Sequence, residues 1–252
     1  LGAFESQGFI LAITGGNNQS ANINQAFTAP LTVSVTPNNT AELTSGGTVS
    51  FSSPSTGASA SFTSTTATIS SGQASLNAIA NNIAGSYQVS ASTVPGNTVN
   101  FNLSNLSAPI AQANAATSIT TNSATINGSV NPGNQSTTVV FNYGLTSSLG
   151  TEVSAAQSPV SGTTSTAVST SLTGLLPNTT YYYQVKATNA SDTATSDIVS
   201  FKTNALPPIA TTNDATSVTG SSATLNGTVT PHDTNVTVFF DYGSTLSYSA
   251  PV

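Results

Sequence analysis

Few residues of this 252-residue chain could carry acid–base chemistry. His232 is the only histidine, and it lies in the turn-like segment Pro-His-Asp-Thr-Asn. A nucleophile–histidine–carboxylate triad needs a positioned nucleophile and an orienting carboxylate beside the ring. Asp233 follows His232 directly, so in an extended chain the two side chains point in different directions. We therefore predict that His232 is a solvated turn residue and that the protein is not an enzyme.

The acidic residues form no obvious catalytic or metal-binding set. A glycosidase needs two carboxylates that face each other across a cleft, whereas the eight acids of this chain are scattered. Asp192 and Asp197 flank a predicted hairpin, where turn hydrogen bonds are favoured over a weak cation site. The chain has no cysteine, no Cys/His zinc spacing and no glycine-rich phosphate loop. We predict no metal site and no cofactor.

The charge balance excludes two classes of partner. Only 4% of the residues are charged, with two Lys or Arg against eight Asp or Glu. Nucleic acid and anionic lipid both require clustered cations, so neither partner is expected. Lys186 and Lys202 alternate with predicted core positions and belong on the surface, which also disfavours a lysine–asparagine crosslink. The longest apolar run, residues 8–13, is too short to cross a bilayer, so no membrane insertion is expected.

Carbohydrate could be attached to the chain or bound by it. Asn-x-Ser/Thr sequons are frequent, but Asn, Ser and Thr are themselves abundant, so the number of sequons is poor evidence for N-glycosylation. Sugar-binding modules usually offer exposed aromatic platforms, and Tyr182 is the one exposed candidate for contact with surface glycans. The candidate N-glycosylation residues are Asn38, Asn127, Asn178, Asn189, Asn226 and Asn235.

The elements that position these residues are repeated. Residues 117–150 and 216–249 align without a gap at an offset of 99 residues, and about half of the aligned positions are identical. Apolar residues alternate with polar ones throughout, so each strand can bury one face. The proline-containing joints at 107–109 and 206–208 are short and semi-rigid. The pattern predicts an all-β protein of tandem β-sandwiches in a rod-like array, and the resemblances given below imply that these are Ig-like and fibronectin type III-like.

The predicted boundaries divide the chain into four parts. Residues 1–7 are an N-terminal extension or the end of a preceding module, and residues 8–107 are an Ig-like sandwich. Residues 108–206 are a fibronectin type III-like sandwich, and residues 207–252 are an incomplete repeat of it. In the first unit, strands are predicted at residues 9–13, 31–35, 48–51, 60–62, 74–76, 87–91 and 99–103.

The first unit resembles the bacterial Ig-like domains of invasin- and intimin-type surface adhesins. Residues 37–45 depart from the family pattern of Asp-x-x-Gly-x-Pro-type residues, so a cation site in that loop is not expected here. The segments that carry the resemblance are residues 16–27 with 30–35, residues 49–51 leading to 57–62, residues 85–91 and residues 99–103.

The second unit resembles the fibronectin type III family. Residues 175–189, LLPNTTYYYQVKATN, match the pattern of Leu, Pro and Tyr before an alternating strand. Tyr181 stands at the family's tyrosine corner, where the ring packs inside and the hydroxyl reaches a nearby backbone group. The structural residues that the resemblance implies are Leu175, Pro177, Tyr181, Tyr183 and Val185.

The third unit repeats only the opening strands of the second. Strands predicted at residues 223–229 and 236–242 match residues 124–130 and 137–143. Half a sandwich would leave its inner face in water. Either the natural chain continues, which is favoured, or another subunit supplies the missing strands, with residues 1–9 as the candidate donor. The inner-face residues are Leu225, Val229, Val238 and Phe240.

These features together predict a non-enzymatic extracellular or cell-surface protein. The first interpretation is a subunit or segment of a fibre, sheath or surface layer that associates head to tail. A spacer or adhesion arm of a surface adhesin is the main alternative. An accessory module of a secreted polysaccharide-degrading enzyme is a third interpretation, from a different functional class.

Overall fold

A computed structural model of the protein describes residues 8–39, 45–232, 235–244 and 250–251. These residues form strands, turns and irregular segments, and none of them lies in a helix. The prediction of an all-β fold of tandem sandwiches is confirmed. The N-terminal extension at 1–7, the middle of the loop at 37–45, and Asp233 lie outside the described residues.

The first sandwich packs a three-stranded sheet, β1-β3-β7, against a five-stranded sheet, β2-β10-β9-β4-β6, with the short pair β5-β8 beside them. The chain crosses from the first sheet to the second at Gly16, whose φ is +78° and whose Cβ position would lie 2.2 Å from the Pro30 carbonyl oxygen. The ten strands are β1 Phe9–Gly15, β2 Gln19–Asn22, β3 Leu31–Pro37, β4 Thr48–Ser52, β5 Ala60–Ser61, β6 Thr66–Thr68, β7 Gln73–Leu76, β8 Ile79–Ala80, β9 Gly85–Ser92 and β10 Thr98–Leu106.

Alternation along the strands builds the core of this sandwich. Leu31, Val33 and Val35 of β3 face inward, and Phe101 and Leu103 of β10 meet them from the other sheet. Sequence reasoning missed β2, β6 and β8, because each is short and has at most two apolar side chains to alternate. β2 pairs in parallel with residues 103–106 of β10, whereas the other strand pairs of the described residues are antiparallel.

The second sandwich packs β11-β12-β15 against β14-β13-β16-β17, and β18 also pairs with β16. Its core holds an aromatic cluster: the ring centroid of Tyr183 lies 6.3 Å from that of Phe141 and 6.1 Å from that of Phe201. The eight strands are β11 Ile110–Thr117, β12 Ser123–Asn131, β13 Thr138–Gly144, β14 Thr151–Ser154, β15 Thr166–Thr173, β16 Thr180–Thr188, β17 Thr193–Thr195 and β18 Val199–Lys202.

The third unit reproduces the opening hairpin of the second sandwich, down to its irregularity. The pairing of β11 with β12 shifts register between Asn114 and Thr117, and that of β19 with β20 shifts between Asn213 and Thr216. The strands of this unit are β19 Ile209–Thr216, β20 Thr224–Thr230, β21 Asp241–Tyr242 and β22 Ala250–Pro251.

The prediction of a strand at residues 236–242 is wrong over most of that range. Only residues 241–242 form a strand, β21, which pairs with β22. Its counterpart β13 is held on both sides, by β14 and by β16. No described residues pair with 236–240 in this way, so the backbone there gains no ladder hydrogen bonds to fix it as a strand.

Candidate functional site

The single histidine closes a turn. His232 has a φ of +47°, and its Nδ1 lies 2.7 Å from the Pro207 carbonyl oxygen. The matching residue of the second unit, Gly133, also has a positive φ, of +68°. Over the described ranges, His, Asp and Glu side chains nowhere gather in a group of three that could hold a metal ion. His232 therefore bonds the backbone of the linker at residues 206–208 in the structure.

The charged residues lie on the outer faces of the sheets. Lys186 Nζ contacts Glu152 Oε2 at 3.3 Å across β13, and both side chains are exposed, so the pair is worth about 0–1 kcal/mol. Beneath it, the buried Asn142 Oδ1 has no hydrogen-bond partner among the residues described. Asp192 accepts a hydrogen bond from the Thr193 amide at 2.7 Å, which is turn chemistry.

The fibronectin-like residues lie at the end of the second sandwich. Tyr181 stacks on Phe201 at 5.7 Å, and its hydroxyl oxygen accepts a hydrogen bond from the Leu176 amide at 2.9 Å. Leu175 is buried, and Pro177 accepts the Thr179 hydroxyl at 2.7 Å through its carbonyl.

The other two implied residues, Tyr183 and Val185, lie in the centre of the core. The Tyr183 hydroxyl donates to the Asn114 carbonyl oxygen in the shifted part of the β11–β12 pairing, and burial raises the pKa of Tyr183. Tyr182 faces outward from β16 and is partly exposed, whereas Tyr242 is 55% exposed. Contact of Tyr182 with surface glycans stays a prediction.

The structure sorts the six sequons. The amide nitrogens of Asn127, Asn189 and Asn226 each donate hydrogen bonds to protein groups. Asn178 takes a positive φ of 50° in a turn, and Asn235 is exposed. Asn38 follows β3, and its backbone N–H donates to the Gly8 carbonyl. Glycosylation at any of these residues stays a prediction.

The most elaborate polar arrangement is the joint between the two sandwiches, whose hydrogen bonds the sequence did not reveal. Its centre is Ser107, the first residue after β10. The Ser107 amide donates to the Gly133 carbonyl at 3.0 Å. The Ser107 carbonyl accepts from Gln135 Nε2 at 3.1 Å and from Asn189 Nδ2 at 3.0 Å. Asn189 Nδ2 also donates to the Pro132 carbonyl at 3.0 Å, so one amide ties the linker to two loops of the second sandwich.

Two side chains of the second sandwich reach directly to the first. Asn134 Nδ2 donates to Ser86 Oγ and to the Asn105 carbonyl oxygen, both at 3.3 Å. The Ser191 hydroxyl donates to Asn22 Oδ1 at 2.7 Å. The joint thus has contacts on β2, β9 and β10 of the first sandwich, which restrict rotation as well as separation.

The end of the first sandwich that receives these contacts is itself stiffened by a buried amide. Asn105 has 0% exposure, and its Nδ2 donates to the carbonyls of Ser59 and Ile83 at 3.0 and 3.2 Å and to Asn81 Oδ1 at 2.9 Å. The Tyr87 hydroxyl donates to Asn105 Oδ1 at 3.0 Å, and burial raises the pKa of Tyr87 to about 12. A fully bonded buried amide of this kind fixes the loops around it.

Gly133 is required by the close approach of the two sandwiches. A Cβ at this position would lie 2.3 Å from the Ser107 carbonyl oxygen. The positive φ of Gly133 and of its neighbour Asn134 forms a tight turn that brings the Gly133 carbonyl to the linker. The run Asn-Pro-Gly-Asn at residues 131–134 is the local signal of this turn in the sequence.

Across the described ranges, no helix is long and apolar enough to traverse a bilayer. No protein-family model and no curated protein matches the chain. Among solved structures, the sensor domain of the anti-sigma factor RsgI4 from Pseudobacteroides cellulosolvens is 25% identical over 38% of this chain and 94% of that one, with a TM-score of 0.29. The IG1+IG2 domains of DIP-gamma are 13% identical over 77% of this chain and 95% of that one, with a TM-score of 0.37.

Domains A168–A170 of titin are 11% identical over 73% of this chain and 61% of that one, with a TM-score of 0.37. These scores lie below 0.5, so the assignment of tandem Ig- and fibronectin-like sandwiches rests on the strand order and register described above.

Proposed function

We propose that the chain is a non-enzymatic extracellular structural protein, a subunit or segment of a cell-surface fibre, sheath or surface layer. The observation that carries the proposal is the hydrogen-bonded joint at Ser107, because a load-bearing array needs neighbouring modules in a fixed relation. The low charge adds support, since a surface of hydroxyls and amides responds weakly to salt and pH. On this proposal the first sandwich is of the bacterial invasin type.

Two apolar surfaces support head-to-tail association. Val94 is 98% exposed at the end of the first sandwich remote from the joint, beyond the last residue of β9. In the third unit, Val238 and Phe239 are 52% and 66% exposed beside the β19–β20 hairpin. Two different surfaces on one chain form a heterologous contact, which propagates into a filament when the rotation does not close.

The test uses one variant for each surface. Val94→Ser removes the first surface, and the double change Val238→Ser with Phe239→Ser removes the second. Each variant alone is expected to stay monomeric in sedimentation velocity at concentrations where the wild-type protein forms long species. A mixture of the two is expected to stop at dimers, because each chain then contributes the surface that the other lacks.

Leu145→Ser is the matched control, because Leu145 is 55% exposed and lies in the second sandwich. Its assembly should equal that of wild type. A wild-type protein that is monomeric at every concentration, and single unconnected arms in electron micrographs of native material, would refute the fibre and favour a spacer or adhesion arm. Assembly unchanged in both surface variants would refute the assigned contact.

A further inference from the structure

The outer face of the five-stranded sheet of the first sandwich carries an open groove of about 510 Å³. β10 forms its floor, β9 forms one wall, and the turn at Asn18 before β2 forms the other. Every residue that lines it is uncharged, and most carry amides or hydroxyls. The surface therefore offers a ligand hydrogen bonds but no ion pair.

Three amides run across the groove in a hydrogen-bonded row. Gln88 Nε2 donates to Asn102 Oδ1 at 2.9 Å, and Asn102 Nδ2 donates to Asn18 Oδ1 at 3.2 Å. Each amide nitrogen carries two hydrogens, and these bonds use one on Gln88 and one on Asn102, so donors are left along the row. Beside it, the hydroxyls of Ser86 and Ser104 pair at 2.8 Å and can act as donor or acceptor.

The row is held in place from below and from the side. The backbone N–H of Asn102 donates to Asn17 Oδ1 at 2.8 Å, which ties the wall of the groove to its floor. Asn18 has a φ of +55°, a conformation that asparagine tolerates better than most residues. On the inner side of β9, Tyr87 packs against the core and its hydroxyl donates to Asn105 Oδ1, which fixes the strand beneath the row. Polar groups fixed in this way lose little conformational freedom when a ligand binds.

We propose that this groove binds a neutral oligosaccharide. Sugar hydroxyls are closely spaced groups that both donate and accept, which matches a row of amides and hydroxyls without charge. The proposal is independent of the fibre, since the amide row uses neither of the surfaces assigned to the head-to-tail contact, although the groove reaches the joint at Ser86. The open, hydrated groove is expected to bind with a dissociation constant on the order of 1 mM, because each new hydrogen bond replaces one to water.

The experiment titrates the full chain with maltohexaose, cellohexaose, xylohexaose and chitohexaose, and follows backbone amide signals by NMR. At least one neutral oligosaccharide should shift the signals of Gln88 and Ser104. Asn102→Ala should weaken binding at least tenfold. Asn100→Ala is the matched control, because Asn100 is exposed on the same strand and face but outside the groove, and it should bind like wild type.

Gln88→Ala is a second variant that removes one end of the row from an exposed position, and it should also weaken binding while leaving the melting temperature unchanged. Three results would overturn the proposal. One is the absence of shifts with all four sugars at concentrations tenfold above the expected dissociation constant. Another is equal binding by the Asn100→Ala and Asn102→Ala variants. The third is tighter binding of a sulfated or uronic-acid oligosaccharide than of any neutral one.

Discussion

Removal of the Asn189 side-chain amide should loosen the joint without unfolding either sandwich. Asn189→Ala deletes the hydrogen bond from Nδ2 to the Ser107 carbonyl, 3.0 Å long, which joins the second sandwich to the linker. It also deletes bonds within the second sandwich, to the Pro132 carbonyl and from the amides of Ser191 and Asp192. Because one of these bonds reaches the linker, at a net 0.5–1.5 kcal/mol, the change costs the joint about 0.5–1.5 kcal/mol. A cost of this size raises the population of separated or rotated sandwiches roughly 2- to 13-fold.

The assay is a distance measurement between two spin labels. The chain has no cysteine, so Ser50→Cys and Ser171→Cys place one label on an exposed strand position of each sandwich. By pulsed electron paramagnetic resonance, the parent protein with both labels should give one narrow distribution of the distance between them. The Asn189→Ala variant should give a broad one, while the melting temperature of the first sandwich stays unchanged.

Asn127→Ala is the matched control for this experiment. Asn127 Nδ2 donates to the Ala115 carbonyl at 2.9 Å and to Thr117 Oγ1 at 3.1 Å, entirely within the second sandwich. This change should lower the stability of the second sandwich and leave the distance distribution narrow. Equal widths in the Asn189→Ala variant and the parent protein, or a broad distribution in the Asn127→Ala control, would refute the role assigned to the joint.

Three further predictions concern stability. Gly133→Ala should lower the free energy of unfolding in urea by more than Gly174→Ala does. Both residues have a positive φ, but only at Gly133 would the new Cβ meet another atom, the Ser107 carbonyl oxygen 2.3 Å away. Equal losses of stability in the two variants would contradict the clash. Phe141→Ala should destabilise the second sandwich by about 3–5 kcal/mol as a cavity forms, whereas Phe239→Ala at an exposed site should stay within about 0.5 kcal/mol. Burial raises the pKa of Tyr87 from 10.0 to about 12, so the folded state holds the proton more tightly: the stability of the first sandwich should be level below pH 10 and fall between pH 10 and 12. Denaturant titrations across that pH range should show a smaller fall in the free energy of unfolding for Tyr87→Phe than for the wild-type protein. An equal fall in both proteins would show that Tyr87 is not its source.

Much of the fold follows from local patterns in the sequence. Alternation at Tyr181, Tyr183 and Val185 predicted β16 and its buried face, because the side-chain period of a strand is set by the backbone alone. The strand prediction at residues 236–240 failed because a strand depends on more than its local pattern. The apolar alternation is present there, but a strand also needs neighbours for its backbone, and sequence pattern does not report them.

The sequence predicted the place of the joint, at residues 107–109, but not its hydrogen bonds, because these connect residues that are distant in the chain. Ser191 and Asn22 are 169 residues apart, and Asn189 and Ser107 are 82 apart. Asn105 offered one signal: it falls in the inward register of β10 after Phe101 and Leu103, where a polar residue needs buried partners. The amide row in the groove gave no signal, since Gln88 and Asn102 look like ordinary outward-facing strand residues and Asn18 like an ordinary turn residue.

The most direct test of the central claim is the measurement of residual dipolar couplings for the backbone amides of both sandwiches in the unmodified chain. Two modules fixed by the hydrogen bonds around Ser107 should share one alignment tensor, with the relative orientation of the sheets seen in the structure. Alignment tensors of different magnitude for the two sandwiches would show that they move independently and would contradict the account.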